Sequence, residues 1–287
     1  HSLIAPQRYM APAARHDFVI DYLARVGEIQ RLDREMYLIY TDPEIDDADA
    51  ASADLQQQLT AQRAKQHVRQ PLVEAILQEQ VATVLVDQGF GVLGQELPPV
   101  SAHFTPLPTL LVISPRDRIA RIYQLNLTHG LSTAEREAIE QQIDATFSVS
   151  SLITGIGGLS AYPSMLLESS SLNWVTEVTA HEWTHHYLAP RPLGRNYLSS
   201  GETRTINETV ASIVGKEIGR KVVARYYPEH LPPKPQPQPE LPEEEVTPAP
   251  PAFDFRLEMR ETRIRVDELL SEGRIEEAEA YMEQRRK

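Results

Sequence analysis

His181, Glu182 and His185 stand together in the run HEWTHH at residues 181–186. On an α-helix, residues i and i+4 lie one turn apart on the same face, so His181 and His185 can aim two imidazoles at one ion. Glu182 follows His181 by about 100° around the helix, close enough to hold a water bound to that ion. A catalytic zinc takes three protein ligands and leaves its fourth position to water, whose pKa falls to about 7. Glu182 would take the proton of that water and pass it to a leaving amine. The chemistry this pattern supports is hydrolysis of a peptide bond. His186 points about 100° away from His185 and is read as a solvent-facing or supporting histidine.

A third ligand has to come from elsewhere in the chain. There is no cysteine, which excludes thiolates and leaves His, Asp and Glu. Positions 188 and 191 are Leu and Arg, which excludes the longer motif ending in a third histidine. Downstream, INETVAS at 206–212 places Asn207 and Glu208 in the next helical stretch. H-E-x-x-H followed by N-E-x-x-A resembles the gluzincin zinc peptidases, over about residues 174–215. The resemblance implies a zincin-like catalytic domain and one zinc ion per chain. It makes Glu208, 23 residues after His185, the third ligand. Glu202 is the rival, although a carboxylate at that position also suits the start of a helix. The thermolysin-like branch carries Ser-Asp where this chain has Ala211-Ser212. That substitution leaves Ser212, together with Asn207, as uncharged supports around the ligands. The family also implies a Tyr or His downstream of the third ligand that donates to the developing oxyanion. Tyr226, Tyr227 and His230 fit that position. Tyr197 in the intervening loop, Tyr162, and Arg260 and Arg263 nearer the C terminus are further candidates.

These side chains need elements to carry them. Phe18, Val19, Tyr22, Leu23, Val26, Ile29, Leu32 and Met36 recur at helical spacing. With a second helix over about 53–88, which Pro71 kinks or splits, they predict a long N-terminal helical hairpin within residues 1–100. Residues 101–230 are expected to form the catalytic domain. Within it, 107–114 and 120–127 read as strands, and 132–147 reads as a helix opened by a Ser132/Glu135 capping box. An edge strand is expected near 161–168, where an extended substrate would pair through its backbone. Residues 171–188 and 201–227 read as the two motif helices. Residues 231–252 are Pro-rich and acidic and read as a linker or loop. Residues 253–287 read as a C-terminal helical hairpin packed on the catalytic domain. The fold class is α+β, with a small mixed sheet beside the active-site helix and the Glu-bearing helix.

Composition narrows the partners. A net charge of −13 and a pI near 5.2 give no general attraction for nucleic acid or anionic lipid. The resemblance to the gluzincins implies a peptide or protein substrate. No run of about 18 apolar residues occurs, so no segment reads as membrane-spanning. The first residues are His1-Ser2, and the expectation is a processed form with a membrane tether upstream at the cell envelope, or else a cytoplasmic protein. Two other readings compete with the enzyme. One is a catalytically inactive zincin-like binding or scaffold module, which an intact Glu182 argues against. The other is a zinc-free surface helix, which the apolar Trp174, Val175, Val178, Trp183 and Tyr187 around the motif argue against.

Overall fold

Apolar residues at helical spacing build the longest elements of the computed structural model, which describes residues 5–231 and 253–286. Helix α1 (Pro12–Thr41) starts with proline in its first turn, where the missing N–H costs nothing. Helix α2 (Ala48–Leu85) is capped by Asp47, which accepts from Ala50 N at 2.9 Å. Pro71 neither splits nor ends α2. Its ring lies on the exposed side, where the carbonyl it leaves unpaired can reach water. A tight hairpin of β1 (Gly91–Val92) and β2 (Gln95–Glu96) follows, then β3 (Ala102–Phe104). Strands β4 (Thr109–Pro115) and β5 (Tyr123–Leu127) precede α3 (Thr133–Phe147) and β6 (Val149–Gly155). Short strands β7 (Gly158–Leu159) and β8 (Ser164–Leu166) lead into α4 (Leu172–Leu188). A single-turn α5 (Pro192–Arg195) connects to α6 (Gly201–Tyr226), and α7 (Phe255–Ser271) and α8 (Ile275–Arg286) form the C-terminal helical hairpin. The architecture is α+β, mostly helical with small sheets. The Pro-rich run expected as a linker lies outside the described residues, apart from Leu231.

The chain forms two compact units, one of His1–Leu107 with Ile156–Pro232, the other of Pro108–Gly155 with Pro233–Lys287. This division differs from the expected break near residue 100. The N-terminal hairpin keeps one small cluster of its own, Ile29, Leu32 and Leu59, near its closed end, and shares the rest of its apolar face. Val19, Tyr22, Val26, Val73 and Ile76 pack in one cluster with Leu172 and Val175 of α4 and with Val223 and Tyr227 at the end of α6. Apolar periodicity predicted the hairpin's buried face but not what would cover it. In the second unit, β4 lies between β5 and β6, with Leu111 opposite both Leu125 and Ile153. Helix α3 opens with the expected capping box, in which Ser132 Oγ accepts from Glu135 N and Glu135 accepts from Ser132 N. Arg116 after β4 pairs with Glu279 of α8 at 2.8 Å, so the C-terminal hairpin belongs with this sheet.

In the first unit the sheet order is β3-β8-β7. The segment expected as the edge strand is therefore central: Ser164–Leu166 pairs with β3 in parallel and with β7 in antiparallel. The outer side of β3 is closed by α2, whose Gln70, Glu74 and Gln78 bond to Phe104 O, Phe104 N and Ala102 O at 2.6, 2.7 and 2.9 Å. The two-residue β7 is the sheet's open edge among the described residues.

Helices α4 and α6 pack closely because α6 presents Ala211, Gly215 and Gly219 on one face, all buried. A Cβ on Gly219 would sit 2.8 Å from the Glu177 Cα, and one on Gly215 would sit 2.9 Å from the Glu177 carbonyl oxygen. Two helix glycines therefore have opposite expected behaviour. Gly27 of α1 has only an ordinary contact waiting, 3.5 Å from Ser170 Cβ, so Gly27→Ala should stabilise by about 0.5–1 kcal/mol through helix propensity. Gly219→Ala gains the same propensity but must separate two backbones, and should destabilise by about 1–3 kcal/mol net. Urea unfolding of the two variants checks both signs.

Candidate metal centre

Ser171 caps α4 by accepting from Trp174 N, and the helix then runs unbroken through His181, Glu182 and His185. Trp183, on the opposite face, is 1% exposed and anchors the helix by donating its indole N–H to Pro98 O at 2.7 Å. Val175 is buried as expected, while Trp174, Val178 and Tyr187 are half-buried. Ser200 caps α6 by accepting from Thr203 N at 3.1 Å. Close packing against α4 then carries Glu208, two turns into α6, to the histidines.

Three donor atoms meet there. His181 Nε2 and His185 Nε2 are 3.1 Å apart, and Glu208 Oε2 lies 3.5 Å from each. Among the described residues this is the one group of three His, Asp or Glu donors within 4.8 Å of one another. Tetrahedral ligands about 2.0–2.1 Å from zinc lie about 3.3 Å from each other. The triangle therefore has the size, and the N, N, O donor set, that such an ion takes. Glu208 is held well below the usual carboxylate range by hydrogen bonding from His181, then His185. For His185 burial acts downward, but the hydrogen bond and charge of Glu208 outweigh it and raise the imidazole above its ordinary value.

The supports around the triangle are uncharged. Asn207 is 1% exposed. Its Oδ1 lies 2.8 Å from His185 Nδ1, and its Nδ2 donates to Leu193 O at 3.5 Å. With the amide nitrogen committed to a carbonyl, Oδ1 accepts a hydrogen bond from His185 Nδ1–H, the tautomer in which Nε2 of the neutral ring carries the lone pair for an ion. Tyr197 donates its hydroxyl to Glu208 Oε1 at 2.6 Å, and its ring meets His185 edge-on at 6.2 Å between centroids. Glu182 is 6% exposed, and Ser160 donates to its Oε2. Burial pushes the Glu182 carboxyl upward, against the Ser160 hydrogen bond and the charges of His181 and His185. Gly158 of β7 makes room for it, since a Cβ there would lie 2.2 Å from Glu182 Oε1.

No known protein family, curated protein or solved structure matches this chain. What the centre can do is carried by its own atoms. Three ligands leave a tetrahedral ion one open position, and a buried carboxylate stands beside it on the same helix.

The remaining candidates divide clearly. Tyr197 reaches the ligand set, but as a donor to Glu208. Tyr226, Tyr227 and His230 do not reach it: Tyr226 stands 18 residues beyond Glu208 on the same helix, a rise of about 27 Å. Tyr227 is fully buried in the shared core and donates to Gln80 Oε1 at 2.9 Å, and the His230 carbonyl accepts from Asn173 at 3.0 Å. Tyr162 is exposed, its ring edge-on to His186 at 5.5 Å and its hydroxyl on Pro99 O at 3.3 Å. His186 is a supporting histidine, 3.0 Å from Ser164 Oγ. Ser212 bonds to neither metal-directed histidine; Asn207 has that role for His185. Glu202 is exposed in the first turn of α6, lowered by its own backbone N–H and Ser200, and is a helix-start residue. Arg260 and Arg263 belong to the other unit. Sequence reasoning missed Ser160 and Gly158. The paired glycines at 157–158 were the available signal, because glycine inside a strand marks a close approach.

If Asn207 fixes the His185 tautomer, Asn207→Ala should weaken zinc binding by about 10–100-fold, as is usual for the outer partner of a ligating histidine. Titration against a chromophoric chelator measures it.

Proposed function

We propose that the protein is a zinc-dependent peptidase of gluzincin type, with a zincin-like catalytic unit. The observation that carries this reading is the convergence of His181, His185 and Glu208 on one point, with Glu182 buried beside it. Bound there, a zinc ion would supply Lewis acidity to a water and to the carbonyl of the scissile bond. His181 and His185 hold their Nε2 atoms toward the ion's position, and Asn207 fixes the tautomer of His185. Tyr197 occupies Oε1 of Glu208, which leaves Oε2 for the ion. Glu182 is the general base, and its proton then passes to the leaving amine. Ser160 holds that carboxylate in position, and the missing side chain of Gly158 leaves it room.

The open edge of β7 supports a peptide as the substrate. An extended chain adding to this edge would pair through its backbone and run past Gly158, where any side chain would collide with Glu182. The other edge of the sheet, at β3, is closed by Gln70, Glu74 and Gln78.

A purely structural zinc site has no use for a buried base, and this separates the enzyme from an inert module of the same shape. Elemental mass spectrometry of the purified chain should find about one zinc per chain, sharply reduced in Glu208→Ala. Glu182→Gln should keep its zinc and lose at least about 100-fold in peptide hydrolysis. Zinc-free protein after metal addition would rule out the metal centre. A Glu182→Gln variant with undiminished hydrolysis would rule out the base.

A further inference from the structure

Arg204 stands one helical turn before Glu208 on α6, so the two side chains leave the same face. It is half-buried, and its Nε is shut away from solvent with no hydrogen-bond partner. Its guanidinium lies over the ring of Tyr197, with Cζ 5.7 Å from the centroid. That same tyrosine touches Glu208 through its hydroxyl and His185 through its ring edge. The cation is therefore placed one side chain away from the metal-directed residues.

Every other half-buried arginine among the described residues has an acceptor. Arg15 has Glu79, Arg25 and Arg69 share Asp21, Arg116 has Glu279, and Arg136 and Arg191 bond to carbonyl oxygens. Arg204 has none. The chain carries 41 acidic residues against 28 Lys and Arg, so carboxylates are not scarce. A partly desolvated guanidinium without an acceptor is destabilising. Contact with the Tyr197 ring offsets that only in part. The planar fork is the shape that receives a carboxylate through two parallel hydrogen bonds.

We propose that Arg204 binds a carboxylate of the substrate close to the scissile bond, which makes the substrate class peptides bearing a carboxylate within one or two residues of that bond. This assignment rests on the peptidase reading of the centre. An extended chain advances about 3.5 Å per residue, so a side chain as long as arginine, one turn from a metal ligand, covers that range. Two sources offer the same chemistry: the free C terminus of a short peptide, and an Asp or Glu side chain in a longer one. The net charge of −13 repels either of them elsewhere on the surface, so a local cation selects for them at the site.

The test uses the full chain loaded with zinc and three dipeptide hydroxamates, which bind through the metal-chelating group. One has a free C-terminal carboxylate, one is its C-terminal amide, and one is an amide with a Glu side chain. Calorimetry should show one carboxylate probe binding about ten- to a hundredfold tighter than the neutral amide. Which probe it is identifies the source. Arg204→Gln should abolish that preference while keeping the zinc content and melting temperature of the wild type, which a merely structural arginine would not do. Should Arg204→Gln fail to fold, Arg204→Lys, which keeps the charge and loses the fork, should show the preference reduced. Equal binding of all three probes by the wild type overturns the assignment, as does a preference undiminished in either variant. No zinc and no binding of any hydroxamate would remove the peptidase reading, and this assignment with it.

Discussion

The centre depends on how closely α6 can lie against α4. His181 and His185 are fixed to each other by one helix and need no tertiary structure to face the same way. Glu208 is on a different helix, and a carboxylate side chain is too short to compensate for a helix held at an ordinary distance. The stripe of Ala211, Gly215 and Gly219 removes the side chains that would hold α6 off. At Gly215 the approach is measured against His181 itself, whose Cβ would be 3.1 Å from an added methyl. The glycines cost helix stability by their flexibility. That cost is offset where α6 continues into the shared core through Ile218, Val222 and Val223, all buried.

That core explains why the N-terminal hairpin belongs to the same unit as the motif. Helix α2 does two separate things for α4. Its apolar face, through Val81, Val84 and Leu85, packs in one cluster with Ala180 and Trp183 of the motif helix. Its polar residues Gln70, Glu74 and Gln78 occupy the outer edge of β3. A three-stranded sheet with one edge sealed by side chains can add a further strand on one side alone, and that side faces Glu182. The hairpin therefore forms a wall beside the site.

What was legible in the sequence was what is local. The helices α1, α3, α4 and α6 announce themselves by periodicity and caps, because both depend on residues within a turn or two of each other. The pairing of His181 with His185 is of the same kind. Glu208 was legible because a motif recorded it. The hydroxyl on Glu182 comes from Ser160, 22 positions away across a turn, one short strand and the first part of a helix, and no pattern connects them. The same limit misplaced the edge strand. Residues 164–166 have the composition of an edge, with Pro163 just before them, yet composition does not say that Gly158–Leu159 would fold back to pair outside them. Tyr226, Tyr227 and His230 failed for a different reason. Their order in the chain suited a downstream donor, but a continuous helix carries every later residue away from Glu208 at a fixed rise. The stop of α6 at Tyr226 was legible, and its consequence for those three residues followed from helix geometry alone.

Charge links the site to its surroundings. Asn207, Tyr197 and Ser160 hold His185, Glu208 and Glu182 without adding any charge. Were a divalent ion held there by two neutral imidazoles and one carboxylate, it would keep one unit of positive charge, which an ionised Glu182 would balance. A carboxylate in place of Asn207 would make the ligand basicity greater and the site as a whole anionic. An anionic site in a chain of net charge −13 would repel a substrate carboxylate twice over, locally and at long range. With neutral supports, the balance at a metal-loaded centre would be close to zero, and under the proposed assignment the guanidinium of Arg204 would be the deciding local charge. The absence of an acidic partner for Arg204 among the described residues and the neutrality of the supports are thus two sides of one arrangement. On the proposed reading, an acid placed to satisfy Arg204 would cancel a positive charge available to a substrate carboxylate.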